Sequence, residues 1–419
     1  MYDMMIVGAR VAGSSTALLL ARKGYRVLLA DRASFPSDTL STHQLQIPGS
    51  LALKRWGILD KVLATEPGKA AQVRFDIGEI VITGHYPTVD GVNAVYSPRR
   101  YLLDHILVDA AAEAGAEVRQ EFTVQELVWE DGRVAGIRGQ SKTGGSVTER
   151  ARIVIGADGR HSLVARAVAA PVYDEQPTLT CGYYSYWEGV PPHGGEIYRR
   201  GRRMIGIWPT NHQQTLIYIV WPTAEFATFR ADIEGSFMAT IDLVPALAGR
   251  VRQGRRAERF NGSGEMPNFY RKPYGPGWAL VGDAGYLKDP ITGLGISDAF
   301  RDAELLATAL DAGFAGRESL EAALSHYEQQ RNTASKALYD FTLDTARMNP
   351  FTVEQIALLK ALEHNPAAAT QFFGVLTGVI QPTEFFTSQN IFHILGMCGM
   401  AKMLASKLLH SPQRQATTA

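Results

Sequence analysis

The fold is decided at residues 3–31, which have the sequence DMMIVGARVAGSSTALLLARKGYRVLLAD. Asp3–Val7 is a short apolar run, typical of a buried parallel strand, and a helical pattern follows from about Gly13. Gly24 is placed to end that helix, and Tyr25–Ala30 has the pattern of a second strand. These residues predict a βαβ unit with a glycine-rich turn, GARVAG, at the helix N-terminus.

Such a turn favours a pyrophosphate, because a helix N-terminus presents free N–H groups and a positive dipole end. Asp31 ends the second strand, where a carboxylate can accept a hydrogen bond from a ribose hydroxyl. The usual G-x-G-x-x-G pattern has glycine where this chain has Arg10, whose side chain hinders backbone approach to phosphates. One hypothesis is that Arg10 pairs with the pyrophosphate instead. The alternative interpretation is that the GARVAG turn is an ordinary helix cap of an α/β protein.

Composition sets the class of protein. The 419 residues exceed what one hydrophobic core holds, so two or more lobes are expected. The apolar fraction of 46% is typical of a soluble globular protein. Lys+Arg and Asp+Glu both number 42, so the formal net charge is zero and does not indicate a nucleic-acid-binding protein. Cys181 and Cys398 are too few for a disulfide framework or a cysteine zinc site, so we predict no metal and a reducing cytoplasm.

No membrane segment is predicted. A core strand starts almost at residue 1, which leaves no room for a signal peptide. The apolar stretches 372–380 and 391–405 are broken by Gly, His and Lys and are shorter than a transmembrane helix. We interpret them as buried helices, with surface contact to a membrane as the weaker alternative.

The remaining chain divides by pattern. An amphipathic helix is predicted at Leu51–Val62, a second helix at Tyr101–Ala114, and a hairpin around Asp131-Gly132. Residues 178–270 are β-rich and aromatic, which marks a second lobe, and everything beyond about 295 has a helical pattern.

Two further glycine-rich motifs follow predicted strands. They are GADGRHS at 156–162 and GDAGYLKDPITGLGIS at 282–297. Gly293 and Gly295 precede a helix whose N-terminal N–H groups face whatever lies above the turn. This helix end would stabilise a negatively charged ligand, and glycine lets a flat ring reach the backbone.

The three motifs, in this order, resemble those of FAD-dependent oxidoreductases of the para-hydroxybenzoate-hydroxylase fold. This superfamily includes class A aromatic monooxygenases, geranylgeranyl reductases and flavin halogenases. The resemblance covers about residues 1–345. It implies an α/β protein with a Rossmann-like FAD-binding domain of the GR2 type, an inserted β-rich substrate domain and a C-terminal helical region. The predicted boundaries are 1–70, 98–175 and 271–345 for the FAD-binding domain, 71–97 and 176–270 for the substrate-binding domain, and 346–419 for the helical region.

The resemblance also implies roles for individual residues. Asp31 binds the adenosine ribose, Asp158 lies near the pyrophosphate and the NAD(P)H path, and Asp283 binds the FAD sugar or ribityl hydroxyls. Arg100, rather than Arg99, touches the FAD. The full predicted cofactor-binding set is Gly8, Arg10, Val11, Ala12, Gly13, Asp31, Arg32, Arg100, Asp158, Gly159, Asp283, Pro290, Gly293, Leu294, Gly295 and Ile296.

The substrate side is less determined by sequence. Tyr286 stands where many relatives carry histidine, and His43 lies in a loop that approaches the flavin in relatives, either as a functional group or without a catalytic role. No catalytic residue can be assigned. The candidates for the roof of the substrate pocket, about half of which must point away from it, are Tyr183, Tyr184, Tyr186, Trp187, Trp208, Tyr218 and Trp221.

The resemblance implies a monooxygenase that uses FAD, NADH or NADPH, and O2. It would hydroxylate an aromatic or other apolar small molecule through a flavin hydroperoxide, with secondary metabolism as a candidate setting. Three alternatives stay open: a prenyl reductase, although P-x-x-Y-x-W is missing; a halogenase, although W-x-W-x-I-P is missing; and a non-catalytic FAD-binding subunit. A separate flavin reductase is a further candidate partner.

Overall fold

A computed structural model describes residues 1–41, 43–142, 144–397 and 399, and it has the mixed α/β architecture that the sequence predicts. The strands are β1 (Tyr2–Val7), β2 (Val27–Ala30), β3 (Lys69–Ala70), β4 (Gln72–Asp76), β5 (Val81–His85), β6 (Val95–Tyr96), β7 (Glu117–Arg119), β8 (Phe122–Glu130), β9 (Arg133–Ser141), β10 (Ser146–Gly156), β11 (Val172–Gln176), β12 (Thr180–Glu188), β13 (Gly195–Arg200), β14 (Arg203–Pro209), β15 (Thr215–Pro222), β16 (Arg255–Arg256), β17 (Asn261–Ser263), β18 (Asn268–Arg271), β19 (Tyr274–Gly275), β20 (Trp278–Leu280) and β21 (Tyr286–Leu287). The helices are α1 (Val11–Ala21), α2 (Ile47–Arg55), α3 (Leu59–Leu63), α4 (Arg100–Glu113), α5 (Leu163–Ala167), α6 (Phe226–Ala231), α7 (Ile233–Ile241), α8 (Pro245–Gln253), α9 (Gly295–Phe314), α10 (Leu320–Ala346), α11 (Val353–Glu363), α12 (Pro366–Leu376) and α13 (Pro382–Phe385).

The first sheet has the order β19-β20-β10-β1-β2-β7, and β20, β10, β1, β2 and β7 run parallel. Its central strand β1 is apolar from Met4 to Val7, where both faces are covered: Met4, Met5 and Ile6 are fully buried. Helices α1, α4 and α9 pack together on one side. The hairpin of β8 and β9 joins β10 near its start, and its apolar side chains form a core with those of α5.

The register of this sheet places the three motifs at one edge. Val7 is paired with Ala30 on one side and with Gly156 on the other, and Gly156 is paired with Leu280. Four parallel strands therefore end at the same level, and each is followed by a motif residue. This edge is where ligands bind in open α/β sheets.

The predicted βαβ unit is confirmed, and several local predictions need adjustment. Helix α1 begins at Val11, two residues before Gly13. The amphipathic stretch at 51–62 is split into α2 and α3, because Gly57 adopts a φ of +72° between them. The hairpin turn is confirmed, with positive φ at both Asp131 (+49°) and Gly132 (+78°).

The second sheet has the order β16-β12-β15-β14-β13-β4-β5, and β17 pairs with β12. β4 and β5, from residues 71–97, thus lie in one sheet with β12 to β17, from residues 176–270, while the division into domains stays a prediction. The β-rich description of 178–270 omitted three helices, α6 to α8. Their apolar side chains, including Phe229, Phe237 and Leu247, form a core on the outer face of the sheet. Asp232 caps α7 by accepting a hydrogen bond from the Gly235 N–H (2.8 Å). This helix start was overlooked because the surrounding sequence has the alternating pattern of strands.

Alternation separates the predicted aromatic roof into two faces. Tyr183, Trp187 and Trp221 belong to the outer core with α6 to α8. On the opposite, inner face, a second cluster contains Tyr184, Tyr186 and Tyr218 together with Ile291 and Met348. The inner face therefore lies against the first lobe.

The C-terminal helices contact both lobes. Phe372 of α12 lies edge-on to Phe75 of β4, with ring centroids 5.8 Å apart. Gly378, after α12, lies so close to Leu294 that a Cβ at Gly378 would stand 2.9 Å from the leucine Cδ2. Within the described residues no helix is long and apolar enough to cross a membrane. The predicted stretch 391–405 and Cys398 lie partly or wholly outside these residues.

Candidate functional site

One cavity of about 760 Å³ runs along the carboxyl edge of the first sheet to the inner face of the second. Its size is in the range of small-molecule and cofactor sites. The structure brings fourteen of the sixteen predicted cofactor residues to its wall: Gly8, Arg10, Val11, Ala12, Asp31, Arg32, Arg100, Asp158, Gly159, Asp283, Pro290, Gly293, Gly295 and Ile296.

The two predicted residues away from the cavity wall serve packing. Gly13 lies behind the turn, where a Cβ would stand only 1.7 Å from the Gly8 carbonyl oxygen. Glycine at this position lets helix α1 approach the end of β1. Leu294 is buried and contacts Gly378. Both residues support the cavity from behind instead of lining it.

At the β2 end of the cavity, Asp31 organises the backbone. Its carboxylate accepts hydrogen bonds from the N–H groups of Ala9 (2.7 Å) and Ala33 (2.8 Å). The exposed Arg32 lines the same end, next to Phe122 and Val124 of β8. The β8 residues were not predicted, because no local motif marks them. Phe122 and Val124 reach the cavity because β8 pairs with β9, which in turn pairs with β10.

A buried carboxylate holds two arginines beside the glycine turn. Asp104 accepts hydrogen bonds from Arg100 Nε (2.9 Å), Arg100 Nη2 (3.1 Å) and Arg10 Nη1 (2.8 Å). Arg100 lines the cavity, as predicted over Arg99. Arg99 instead forms an ion pair with Glu258 (2.8 Å) and stacks on Tyr186, 3.7 Å from the ring centroid. Asp104 was missed by sequence reasoning, although its spacing of four residues from Arg100 on a helix was a usable signal.

Asp158, after β10, caps a short helix. It accepts hydrogen bonds from the Ser162 hydroxyl (2.5 Å) and the Leu163 N–H (2.6 Å) at the start of α5. Burial raises the pKa of Asp158, and these hydrogen bonds oppose the increase. Arg166 donates to the His161 carbonyl, so it braces the same loop. The second motif is therefore a rigid wall of the cavity.

Asp283, after β20, presents a free carboxylate to the cavity. Its side chain forms no hydrogen bond within the part of the chain that the structure describes. The residue is open to the cavity but deep in the molecule, and the surrounding protein raises its pKa to about 6, against the influence of Arg100. A carboxylate left without protein partners in a deep cavity is a ligand-binding group.

The third motif forms a turn above which a planar ring can lie. Asp289 fixes it by accepting hydrogen bonds from the Ile291 N–H (3.0 Å) and from the Thr180 hydroxyl (2.6 Å) of β12. Burial raises the pKa of Asp289 to about 6. Gly293 has a φ of +63°, a region that favours glycine. Helix α9 then begins at Gly295, where a Cβ would meet open space. Backbone N–H groups at the start of α9 thus face the cavity.

A paired ionic cluster lies beneath this turn. The Lys288 ammonium donates to Asp298 and to the Tyr286 hydroxyl (3.1 Å). Arg301 donates to Asp298 (2.7 Å) and to Asp302 (2.7 Å). Burial lowers the pKa of Lys288, although Asp298 opposes the shift. Tyr286 lines the cavity.

His43 is enclosed instead of exposed to the cavity. Its side chain is fully buried, with Nε2 2.9 Å from the Tyr186 hydroxyl oxygen. Burial, together with Arg100 and despite Asp38, lowers the pKa of His43 to about 3. The imidazole is neutral at physiological pH. It is therefore a structural element of the loop that precedes α2.

At the inner-sheet end, two buried polar atoms lack protein partners. The Tyr218 hydroxyl and Gln44 Oε1 both belong to residues that line the cavity, and neither atom has a hydrogen bond within the described residues. Gln44 Nε2 donates to Ser97 Oγ (3.1 Å), which fixes the orientation of the amide. The Gln44 side chain lies against Gly293 of the turn. Among the described residues no group of side chains could hold a metal ion.

The fold and the cavity define a flavoprotein of the two-lobed class in which three glycine-rich motifs surround one dinucleotide. The chain belongs to the FAD binding domain family, which it matches over residues 1–342. It is an FAD-binding flavoenzyme of the superfamily that contains monooxygenases, halogenases and reductases.

Relatives of three activities are similar to this chain. Digeranylgeranylglycerophospholipid reductase of Methanocella arvoryzae is 25% identical over 80% of this chain and 84% of that protein. Kynurenine 3-monooxygenase of Stenotrophomonas maltophilia is 25% identical over 82% and 78%, respectively. The structure of the flavin-dependent brominase Bmp2 superposes with a TM-score of 0.79, at 19% identity, over 97% of this chain and 99% of that one.

Proposed function

We propose that this protein is an FAD-dependent monooxygenase that uses NADH or NADPH and O2 to hydroxylate a small aromatic or otherwise largely apolar molecule. The observation that carries the proposal is the continuous cavity. It joins the dinucleotide edge of the first sheet to a pocket lined by Tyr184 and Tyr218 on the inner face of the second sheet. Such a pocket suits an aromatic or otherwise apolar substrate.

The cavity fits an FAD at three independent places. The glycine turn, with Arg10 and Arg100, suits a pyrophosphate, and the unpartnered Asp283 suits sugar or ribityl hydroxyls. The turn from Pro290 to Gly295 offers bare backbone to a flat ring. When bound, the flavin accepts electrons from NAD(P)H and passes them to O2.

The protein supplies orientation and electrostatics. The N–H groups at the start of α9 and the positive end of its dipole would stabilise negative charge on a ring bound above the turn, with no reorganisation. The hydrogen bond between Thr180 and Asp289 joins this turn to the second sheet, so the turn and the inner face keep a fixed separation. Tyr184 and Tyr218 form an aromatic wall that would keep water from the reacting atoms.

One observation weighs against a halogenase. Among the described residues that line the cavity the one lysine is Lys288, and its ammonium donates to Asp298, which leaves no free amine there for a halogenase role.

The test uses purified full-length protein with bound FAD, mixed with NADH or NADPH in air. A panel of phenols and quinolones is added singly, and absorbance of the flavin, O2 uptake and product mass are recorded. We expect one compound to accelerate flavin bleaching and to gain one oxygen atom.

A product with two added hydrogens would support a reductase, and a halogen-dependent product would support a halogenase. Either would contradict the monooxygenase proposal. Product formation only after addition of a separate flavin reductase would contradict the single-component form. FAD retention without turnover on any compound would favour a non-catalytic subunit.

A further inference from the structure

The most unusual group next to the glycine turn is Asp104, which no motif contains. It lies on α4, it is fully buried, and both of its carboxylate oxygens are occupied by arginine N–H groups. A buried carboxylate with three charge-assisted hydrogen bonds has a fixed geometry. Asp104 does not line the cavity, whereas both of its partners do.

Arg100 has an N–H group to spare, whereas the terminal N–H groups of Arg10 are occupied. Besides Asp104, Arg10 Nη1 donates to the Ser37 carbonyl (3.1 Å), and Nη2 donates to the Asp38 carbonyl (3.0 Å) and to the Ser37 hydroxyl (3.3 Å). The Arg10 guanidinium is therefore fixed at the cavity wall, where it contributes its charge. Arg100 Nη1 forms no hydrogen bond within the described residues. Two guanidinium groups on one carboxylate leave a net positive charge at the cavity wall. The Asp283 carboxylate, which interacts with Arg100, offsets this charge in part, and the remaining positive potential favours an anionic ligand.

We propose that Asp104 is a positioning residue that holds Arg10 and Arg100 as a pair for the pyrophosphate of the dinucleotide. Arg10 occupies the position at which the turn usually has glycine. Asp104 draws its guanidinium to the side, so the arginine contributes charge where glycine would contribute only space. This inference requires FAD binding but not the proposed monooxygenase reaction.

The test separates recognition of phosphate from recognition of the nucleoside. Full-length protein freed of flavin is titrated with FAD by fluorescence, and ADP and adenosine are used as competitors. For Asp104→Asn and Arg10→Gln we expect the dissociation constants of FAD and ADP to rise roughly tenfold, and that of adenosine to stay unchanged. Asp109→Asn, the same chemical change at an exposed site of the same helix, is the matched control and should change none of them.

The decisive variant is Arg10→Gly, which restores the usual glycine. It should weaken ADP binding if Arg10 serves the phosphates, and tighter binding would overturn the proposal. Equal loss of ADP and adenosine affinity would also overturn it, because that result means a general structural role. If Asp104→Asn does not fold, the two Arg10 variants decide the question alone. None of these measurements involves turnover, so their outcome is independent of the reaction type.

Discussion

The two ends of the cavity are built by opposite means. At the glycine-turn end, nearly every charged side chain has a protein partner, as Asp31, Asp104 and Asp158 illustrate. At the inner-sheet end, the lining side chains Tyr184, Tyr218 and Gln44 are uncharged, and most of this wall is aromatic. The first end has a fixed geometry that suits one cofactor. The second end is the wall against which we propose that the substrate binds.

Such a difference allows one fold with one cofactor site to support different reactions. The cofactor end depends on backbone positions at strand ends, which tolerate few changes. The substrate end depends on which side chains project from one face of a sheet, and these vary without disturbing the fold. The following predictions test the two ends separately.

The largest effect is expected where the glycine turn meets helix α1. Gly13→Ala places a methyl group 1.7 Å from a backbone oxygen, so we expect a loss of at least about 3 kcal/mol in the free energy of unfolding, measured by urea titration. Gly295→Ala is the matched control, because its Cβ meets open space. That variant should stay folded but lose FAD. Equal stability of both variants would refute the division into packing and cavity glycines.

The next effect concerns the free carboxylate at the cofactor end. Asp283→Ala should raise the FAD dissociation constant roughly 10- to 100-fold, since it removes a charged hydrogen-bond partner. Asp60→Ala at an exposed site on α3 should change nothing. A protein that retains its full flavin content after Asp283→Ala would contradict the assignment.

The same carboxylate should destabilise the flavin-free protein. Its pKa is raised from 3.8 to about 6, so the folded state holds the proton more tightly than the unfolded state, and stability falls as pH rises through that window. Flavin-free Asp283→Asn should therefore have a higher Tm than the parent protein at pH 8. The difference should vanish below pH 4, and a constant difference across pH would exclude this cause.

At the substrate end, Tyr218→Phe removes one unpartnered hydroxyl and leaves the ring. We expect KM for the substrate to rise roughly three- to tenfold, with FAD affinity unchanged. Tyr183→Phe is the matched control, since Tyr183 lies on the outer face of the same sheet. If both variants behave alike, the inner face is not the substrate wall.

His43 provides a smaller, pH-dependent comparison. Its pKa is lowered from 6.5 to about 3, so the unfolded state binds the proton first and stability falls as pH decreases below 6.5. Between pH 6 and 5 the contribution of His43 should fall by about 1 kcal/mol, while Asp283 and Asp289, whose pKa values are raised to about 6, act in the opposite direction. The effect is therefore measured by urea titration as the difference between the parent protein and His43→Asn, and it should be absent from the difference between the parent and His212→Asn, which also has a φ of +61° but is exposed. Equal pH dependence of the parent protein and His43→Asn would mean that His43 is accessible.

The sequence was sufficient for the cofactor end because its signals are local. A strand, a glycine turn and a helix within thirty residues are enough to predict a dinucleotide-binding βαβ unit. The parallel register of the sheet then places Gly8, Asp158 and Asp283 at one edge. The same local reasoning could not separate Gly13 from its neighbours, because its close approach to Gly8 requires the helix position in three dimensions.

The substrate end needed the structure. Alternation predicted that half of the aromatic residues point away, but not which half. That choice depends on where α6 to α8 pack. Gln44 and Asp104 have no motif at all, and they acquire meaning only through Gly293 and through Arg10 and Arg100. Contacts between residues that are distant in sequence cannot be predicted from one sequence alone.

The contact between Gly378 and Leu294 has a practical consequence for anyone who shortens this chain. The helices after residue 346 lie outside the part of the sequence that the family resemblance explains. Gly378, which follows α12, nevertheless packs against Leu294 of the turn from Pro290 to Gly295. A deletion that stops at the end of the matched family region would leave Leu294 bare to water and release that turn. We therefore expect protein truncated for crystallisation to lose FAD during purification and to be pale.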